Sequence, residues 1–283
     1  MNILTFDIEE WFHILDNEST KTEKEWNNYE SRIHKNMDTI FRLLEECNVK
    51  ATFFCLGWIG DKYPDVVKRI DDAGYEIGTH SNMHQLAYEM GEKEFEDDLR
   101  ASIDVLESIT GKKIKTYRAP GFSITKNNLW TFEVLKKLGI ENDCSIFPAN
   151  RAHGGISSFT ESKPCIIEYN GIQLKEFPIN TSSVLGKEVI FSGGGYFRFM
   201  PYNLIKKFSN NTDYIMTYFH PRDFDYEQPM IKGLSVFRRF KSYYGLKGCE
   251  KKLKRWISDF EFTDLKTYSD QIKWDSVAKV SLD

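Results

Sequence analysis

The sequence lacks several features that would assign it to large protein classes. No apolar run approaches the roughly 20 residues that a membrane-spanning helix needs. The five cysteines are scattered and form no Cys-x-x-Cys pair, so we expect free thiols in a reducing compartment rather than disulfides or a cysteine zinc site. A formal net charge of −4 gives no reason to expect a nucleic-acid partner.

The amino-terminal stretch MNILTFDIEEWF has no basic start, no long apolar core and no small-residue cleavage site. We therefore expect no signal peptide and a cytoplasmic location. No internal repeat, low-complexity tract or linker divides the 283 residues, and hydrophobic residues make up 41% of them. These features predict one domain over residues 1–283, with a basic, helical carboxyl-terminal extension at about 232–283.

The sequence does contain a sustained alternation of two hydrophobic periodicities. Apolar runs typical of buried strands, such as residues 2–7 and 51–57, alternate with segments of helical periodicity, such as 92–110. This alternation predicts parallel strands covered by helices, in either an α/β barrel or an open doubly wound sheet. The dipeptide Asn170-Gly171 lies between two alternating runs and predicts a β-hairpin.

Chemically capable side chains follow the predicted strands at the points where those strands end. They are Asp7, His80, Arg118, Asp143 and His220. Because the carboxyl ends of parallel strands share one face, we expect these side chains to lie close together.

His80 and His84 are spaced for joint binding of a metal ion. If residues 79–85 turn helically as the strand ends, the two imidazoles share one helix face and can chelate one ion. The alternative is a pair of hydrogen-bonded histidines in a polar loop. A zincin protease does not fit, because Ser81 stands where the motif HExxH has glutamate.

Asp7 and Glu9 lie two residues apart, so on an extended chain both carboxylates point to the same side. Two histidines and one carboxylate are a common catalytic zinc set, and the second carboxylate would then be available as a general base. The alternative is that Glu9 and Glu10 are solvated and Asp7 caps the following turn.

Arg118 could hold a carboxylate in a bidentate fork, and Pro120 and Gly121 favour a stiff turn that presents a backbone N–H to an oxyanion. His220, near Asp143, could protonate a departing amine. The alternatives are a surface salt bridge for Arg118 and a hydrogen-bonded core histidine for His220.

The segments TFDIEEWFH, GTHSNMH, RAPGFS, DCS and YFH occur together in an order that resembles the polysaccharide deacetylase (NodB-homology) superfamily. SGGGYFRFMPY and HPRDFD are similar to its branch associated with bacterial exopolysaccharide and surface-glycan genes. The resemblance implies an irregular, incomplete (β/α)7-type barrel, here with a hairpin insertion and the carboxyl-terminal extension. It also implies metal-dependent removal of an N-acetyl group from an amino sugar.

The resemblance implies a role for each candidate residue. Asp7 matches the general base, Arg118 the arginine that orients it, and His220 the general acid. Asp143 falls where the family has a carboxylate that tunes this histidine. His80 and His84 match the metal ligands.

Two departures from the family pattern affect these assignments. Ile8 stands where a second aspartate usually binds metal, so Glu9 is the expected third ligand and Asp7 the alternative. Gly121 stands where the family usually has an aromatic residue, with Phe122 next. Gly121, Phe122 and Tyr196 are the expected substrate contacts.

Several assignments stay open. We expect zinc, although cobalt, nickel and iron tolerate the same ligands. The expected partner is an N-acetylated sugar or glycan precursor, with no inference about oligomeric state. A cyclic amide or ureide hydrolase and a catalytically silent glycan-binding relative are the alternatives. Aromatic residues in predicted loops favour a sugar: Trp11, Phe12, Tyr196 and Phe197.

The carboxyl-terminal extension is basic and aromatic. From Lys232 to Trp256 it has nine lysines and arginines against one acid, Glu250. Such a segment could rest on an anionic membrane at its inner face. The alternative is a solvated helix face that balances an otherwise acidic protein.

Overall fold

An eight-stranded sheet forms the centre of the protein in a computed structural model, which describes residues 1–15, 17–149, 153–184 and 187–283. The strands are β1 (Asn2–Ile3), β2 (Thr5–Ile8), β3 (Thr52–Cys55), β4 (Glu76–Thr79), β5 (Thr116–Tyr117), β6 (Asn142–Asp143), β7 (Cys165–Tyr169), β8 (Ile172–Glu176), β9 (Ser182–Val184), β10 (Lys187–Val189), β11 (Phe262–Thr263) and β12 (Lys279–Ser281). Their order in the large sheet is β12-β7-β8-β6-β5-β4-β3-β2. Pairing is parallel from β2 through β6 to β8, as the alternation predicts.

Helices cover the strands. They are α1 (Glu23–Trp26), α2 (Ile33–Cys47), α3 (Gly57–Lys62), α4 (Pro64–Asp72), α5 (Glu92–Thr110), α6 (Thr131–Lys137), α7 (Gly194–Phe199), α8 (Tyr202–Asn210), α9 (Val236–Tyr243), α10 (Leu246–Asp259) and α11 (Leu265–Asp270). Pro64 begins α4 because its missing N–H costs nothing in the first turn, and α5 ends at the left-handed Gly111. None of the helices in the described part of the chain combines the length and apolar composition that crossing a bilayer requires.

The strands form an irregular, incomplete barrel. The predicted strand at residues 213–220 runs beside β1 and β2. It pairs with them at two separate parallel bridges, Met216 to Ile3 and Phe219 to Phe6, and the N–H of Thr5 between these bridges donates to the Thr217 side chain instead of the backbone. Among the described residues the ring of strands is therefore not closed by continuous pairing, which confirms the predicted fold class.

Alternation along the strands separates an outer apolar layer from the barrel interior. Phe53 stacks on Phe6 in the outer layer, with ring centroids 5.4 Å apart, whereas Phe54 belongs to the inner cluster. Asp7 pairs in register with Phe54 and therefore points inward. This alternation carries a charged side chain into the interior between two apolar neighbours.

The two predicted additions to the barrel are present. Strands β7 and β8 form an antiparallel hairpin whose turn residues, Asn170 and Gly171, both have positive φ, as a two-residue turn of this kind requires. The carboxyl-terminal extension contains α9, α10 and α11, but it also supplies strands that the sequence did not predict. Strand β11 pairs with β1, and β12 pairs with β7 at the edge of the large sheet.

Candidate active site

The site residues expected from the sequence gather largely around one cavity of about 250 Å³ at the carboxyl ends of β2 and β4. The expected residues that line it are Asp7, Glu9, His80, His84, Gly121, Phe122, Tyr196 and His220. Arg118 lies behind Asp7, and Asp143 lies outside the cavity lining. The cavity is therefore the place where acid–base and ligand groups meet.

Glu9, His80 and His84 form a buried cluster whose ligand atoms lie within 4.8 Å of one another. His84 Nε2 is 2.7 Å from Glu9 Oε2. The partner of His80 Nδ1, at 2.8 Å, is the backbone carbonyl of Arg118, so Nδ1 must carry the proton. The lone pair of Nε2 is then available to bind a metal ion. Two imidazoles and one carboxylate at this spacing can bind a divalent metal ion.

The charges in this cluster support the same arrangement. Burial raises the pKa of the Glu9 carboxyl, but His84, together with His220 and His13, outweighs burial and holds that pKa at about 2. Burial lowers the pKa of His80 to about 4, so its ring is neutral near pH 7. The ionised Glu9 carboxylate and the neutral His80 imidazole are in the protonation states that metal binding needs.

The loop that carries the two histidines is not helical, and the helical spacing expected for them is wrong. Ser81 and His84 have φ values of 72° and 55°, in the left-handed region, so the chain folds back within five residues. Asp98 of α5 holds this turn by accepting the N–H groups of Asn82 and Met83 at 2.8 and 3.0 Å. This turn brings the two imidazoles together, with their ring centroids 5.4 Å apart.

Asp7 is held by the fully buried Arg118. Arg118 Nη1 donates to Asp7 Oδ1 and to Thr5 Oγ1, both at 2.7 Å, and the guanidinium lies 4.1 Å from the centroid of the Phe54 ring. One guanidinium nitrogen makes the contact, so the expected two-nitrogen fork is not formed. The other carboxylate oxygen, Oδ2, lies 3.9 Å from His220 Nε2.

The ring of His220 is held by Asp223. His220 Nδ1 lies 3.1 Å from Asp223 Oδ2, and Arg198 Nε lies 2.9 Å from the other carboxylate oxygen. Partial burial favours the neutral ring, but the hydrogen bond to Asp223 and the charge of Glu9 outweigh it and raise the pKa of His220 to about 9. The sequence contains this partner in HPRDFD, three residues after the histidine.

Asp143 does not contact His220, contrary to expectation. In the sheet, β3, β4 and β5 separate β6 from β2, whereas the strand that ends in His220 lies on the other side of β2. Asp143 is fully buried and accepts a hydrogen bond from Ser145 Oγ at 2.5 Å, and Ser145 Oγ accepts the N–H of Ala119 at 2.8 Å. Burial raises the pKa of Asp143 and of its neighbour Glu176. Asp143 therefore supports the turn after Arg118 from behind.

The turn that carries Gly121 and Phe122 is tight, and both residues have positive φ. Gly121 has a φ of 61°, and a Cβ there would lie 2.9 Å from a methyl group of Leu15, so an aromatic residue would be strained at this position. The N–H of Phe122 donates to the carbonyl of Ala119 at 3.0 Å, and its ring packs edge-on against Tyr218 at 5.3 Å.

The aromatic residues expected in substrate-binding loops divide between cavity and core. Tyr196 lines the cavity, with Lys241 Nζ 5.2 Å from its ring centroid. Trp11, Phe12 and Phe197 are buried in the hydrophobic core, so the expectation that they face a sugar is wrong. Exposing rings of this size to water in a loop would cost free energy, and packing them in the core avoids that cost.

Two family models match successive parts of the chain. Residues 4–142 match the model described as polysaccharide deacetylase. Residues 144–270 match a model described as a domain of unknown function, DUF3473. The first match includes Asp7, Glu9, His80, His84 and Arg118, and the second includes His220.

Two curated bacterial proteins are similar over a shorter stretch. A peptidoglycan-N-acetylglucosamine deacetylase of Bacillus cereus is 36% identical over 91 residues, which are 32% of this chain and 33% of that protein. A peptidoglycan deacetylase of Helicobacter pylori is 32% identical over 107 residues, 38% of this chain and 36% of that protein. The chain thus spans about a third of the length of the curated relatives that it matches.

A solved structure supports the fold over the whole chain. A protein of Mycobacterium smegmatis described as a polysaccharide deacetylase superposes with a TM-score of 0.69. The superposition covers 100% of this chain and 93% of that chain at 16% sequence identity. At this identity the superposition establishes the shared fold.

Proposed function

Because the chain belongs, through residues 4–142, to the polysaccharide deacetylase family, we propose that it is a carbohydrate N-deacetylase. The reaction would hydrolyse the acetamide of an N-acetylated amino sugar, in a bacterial surface glycan or its precursor, to a free amine and acetate. One observation carries the proposal: carboxylates and imidazoles converge on one cavity. They are Asp7, Glu9, His80, His84 and His220.

We propose that Glu9, His80 and His84 hold a divalent ion, with zinc expected and cobalt, nickel or iron as alternatives. When bound, such an ion polarises the acetamide carbonyl and lowers the pKa of a bound water. The hydrogen bond from His80 to the Arg118 carbonyl supports this assignment because it fixes the ring tautomer and orientation.

Asp7 is our general base. Arg118 fixes the orientation of its carboxylate through Oδ1, which leaves Oδ2 to take a proton from the attacking water. The N–H of Phe122 is already bonded to Ala119, so the N–H of Gly121 is our candidate donor to the oxyanion that develops on the acetamide.

His220 is our general acid, which donates its proton to the nitrogen of the departing amine. Asp223 supplies the counter-charge that keeps the ring protonated near pH 7, because the pKa of His220 is about 9. Asp223 therefore takes the tuning role that the resemblance implies for Asp143.

Acetate release from a panel of N-acetylated sugars, with a cyclic ureide as comparison, tests the proposal. Release that depends on added divalent ion would support it. Ring opening of the ureide without acetate release would favour the cyclic amide branch. No release from any sugar by ion-supplemented protein would overturn the deacetylase assignment and leave the glycan-binding alternative.

Replacing Asp223 by asparagine should shift the pH profile of hydrolysis. The carboxylate stabilises the protonated ring, so its removal lowers the pKa of His220 and moves the alkaline limb of kcat/KM down by about one to three pH units. The matched control is Asp225→Asn in the same segment, because Asp225 binds Arg32 and not His220. An unchanged alkaline limb in Asp223→Asn would exclude Asp223 as the partner of the acid.

A further inference from the structure

Arg222 is a buried cation in the wall of the cavity, and two of its guanidinium nitrogens lack a hydrogen-bond partner among the described residues. It follows His220 in the short helical turn Pro221–Phe224, and only 9% of its surface is exposed. Its Nε and Nη2 atoms are buried and have no hydrogen-bond partner in the described part of the chain. Its neighbour is an aromatic ring: the guanidinium lies 5.7 Å from the centroid of Tyr243.

The other charged groups around the cavity are paired differently. Asp7 binds Arg118, Glu9 contacts His84, and Asp223 contacts both Arg198 and His220. Each of these carboxylates thus already has a partner other than Arg222. Among the described residues, none forms an ion pair with Arg222 or with the exposed Lys241, which also lines the cavity.

A buried guanidinium with unmet N–H groups is costly unless an acceptor reaches it. Its planar fork matches the oxygens of a phosphate, and Lys241 adds a second positive charge at the same cavity. Two unpaired cations correspond to the charge of a phosphate better than to the single charge of a carboxylate.

We propose that Arg222 and Lys241 form a binding site for a phosphoryl group of the substrate. The substrate is then an N-acetylated amino sugar that carries a phosphate or diphosphate, rather than a neutral polymer. This inference rests on the proposed deacetylase function for the identity of the sugar, but the binding of the phosphoryl group does not depend on hydrolysis.

Isothermal titration calorimetry tests the phosphoryl site without requiring turnover. N-acetylglucosamine 1-phosphate should bind at least about 30-fold more tightly than N-acetylglucosamine, and Arg222→Gln should remove most of this difference. Arg222→Lys should retain part of it. The matched control is Lys247→Gln, on an exposed lysine of α10 outside the cavity, which should change nothing.

The outcomes separate this inference from the proposed function. Equal affinity for the two sugars, or tight binding that survives Arg222→Gln, would overturn the phosphoryl site, even if both sugars are deacetylated. Phosphate-dependent binding without acetate release would support the site and count against the deacetylase. N-acetylmuramic acid binding as tightly as the sugar phosphate would overturn the assignment to phosphate. If Arg222→Gln fails to fold, Lys241→Gln should weaken sugar-phosphate binding severalfold, and no change would contradict the site.

UDP-N-acetylglucosamine and a short-chain lipid diphosphate of the same sugar identify the source of the phosphoryl group. Both share the chemistry that Arg222 and Lys241 would recognise. Tighter binding of the nucleotide form assigns a soluble precursor, and tighter binding of the lipid form assigns a membrane-linked one. Failure of both to compete with the sugar phosphate would overturn the site.

A second inference has an independent basis in the exposed apolar surface of α9. Val236, Phe237 and Phe240 are 86%, 73% and 46% exposed. Phe240 contacts the exposed rings of Tyr244 and Phe199, with centroids 4.7 and 6.0 Å away. The helix VFRRFKSY has no acid, and its Arg239 is exposed, whereas Arg238 and Lys241 line the cavity. The exposed face of α9 is therefore apolar with an added positive charge, which complements an anionic surface.

We infer that α9 docks on an anionic lipid surface. The protein should co-sediment with vesicles that contain phosphatidylglycerol and not with pure phosphatidylcholine vesicles. Replacing Phe237 and Phe240 together by serine should reduce the bound fraction at least about tenfold, since each ring buries substantial apolar area. The matched control is Leu204→Ser, an exposed apolar residue on α8, which should leave binding unchanged.

Two results would overturn lipid docking. One is co-sedimentation that does not depend on anionic lipid. The other is a concentration-dependent dimer in light scattering that the double serine variant abolishes, because a second copy of the chain would then cover this face.

Discussion

Replacing Asp7 by asparagine should lower kcat by about two to four orders of magnitude, the range that general base catalysis contributes. An amide can still accept the hydrogen bond that Arg118 donates to Oδ1, but it cannot take a proton from water. The change is nearly isosteric, so the cavity keeps its shape. The measurement is the steady-state rate of acetate release at saturating sugar.

The same variant decides which carboxylate binds metal. If Glu9 is the third ligand, Asp7→Asn should retain its metal content, measured by mass spectrometry of the dialysed protein. Loss of metal from Asp7→Asn, with retention in Glu9→Gln, would transfer the ligand role to Asp7. Full activity in Asp7→Asn would exclude it as the base.

Asp7→Asn should also reduce stability, which needs a separate measurement. It leaves the fully buried Arg118 without its counter-charge, and breaking a buried ion pair from one side costs about 3–5 kcal/mol. Urea unfolding of the variant should show this loss in the free energy of unfolding. Activity assays should therefore be run well below the unfolding midpoint of the variant.

Replacing His80 or His84 by alanine should abolish metal binding. Each removes one of three buried ligand groups, and we expect at least a 100-fold rise in the metal dissociation constant, since loss of an outer contact alone costs about 10- to 100-fold. Acetate release should fall with metal content. The measurement is metal stoichiometry after equilibrium dialysis against a buffered zinc concentration.

His34→Ala is the matched control for these variants. His34 is an exposed histidine on α2 that binds Asp65, outside the cavity lining, so its removal should leave metal content and activity unchanged. Metal content that persists in both His80→Ala and His84→Ala would show that these imidazoles do not hold the ion, and the proposed mechanism would fail with them.

Much of the fold follows from patterns that are local in sequence. The alternation of strand-like and helical segments predicts parallel pairing because each strand must be followed by a crossover long enough to return the chain. The hairpin at Asn170-Gly171 is local as well, since the turn residues themselves set its geometry. The pairing of β11 with β1 is not predictable in this way, because no short-range pattern joins Phe262 to Asn2.

The candidate site is only partly local. Asp7, His80, Arg118 and His220 are predictable because strand ends converge on one face of a parallel sheet. The partner of His220 is not, since the resemblance implies Asp143, whereas the order of strands keeps Asp143 away and Asp223 contacts the ring. Arg222 attracts no notice in sequence, because a missing partner becomes visible only once every neighbour is in place.

The amino-acid sequence by itself indicates the class of fold, the family and most of the candidate catalytic and metal-binding residues. It does so because hydrophobic periodicity and strand ends are properties of neighbouring residues. The packed molecule selects among those groups. It turns the His80–His84 loop through two left-handed residues, assigns Asp223 to His220 and buries Trp11, Phe12 and Phe197. Among the described residues it also leaves Nε and Nη2 of Arg222 without an acceptor. These outcomes depend on contacts between residues far apart in the chain. Such contacts, and their interaction energies, exist only once the helices and the sheet have packed together.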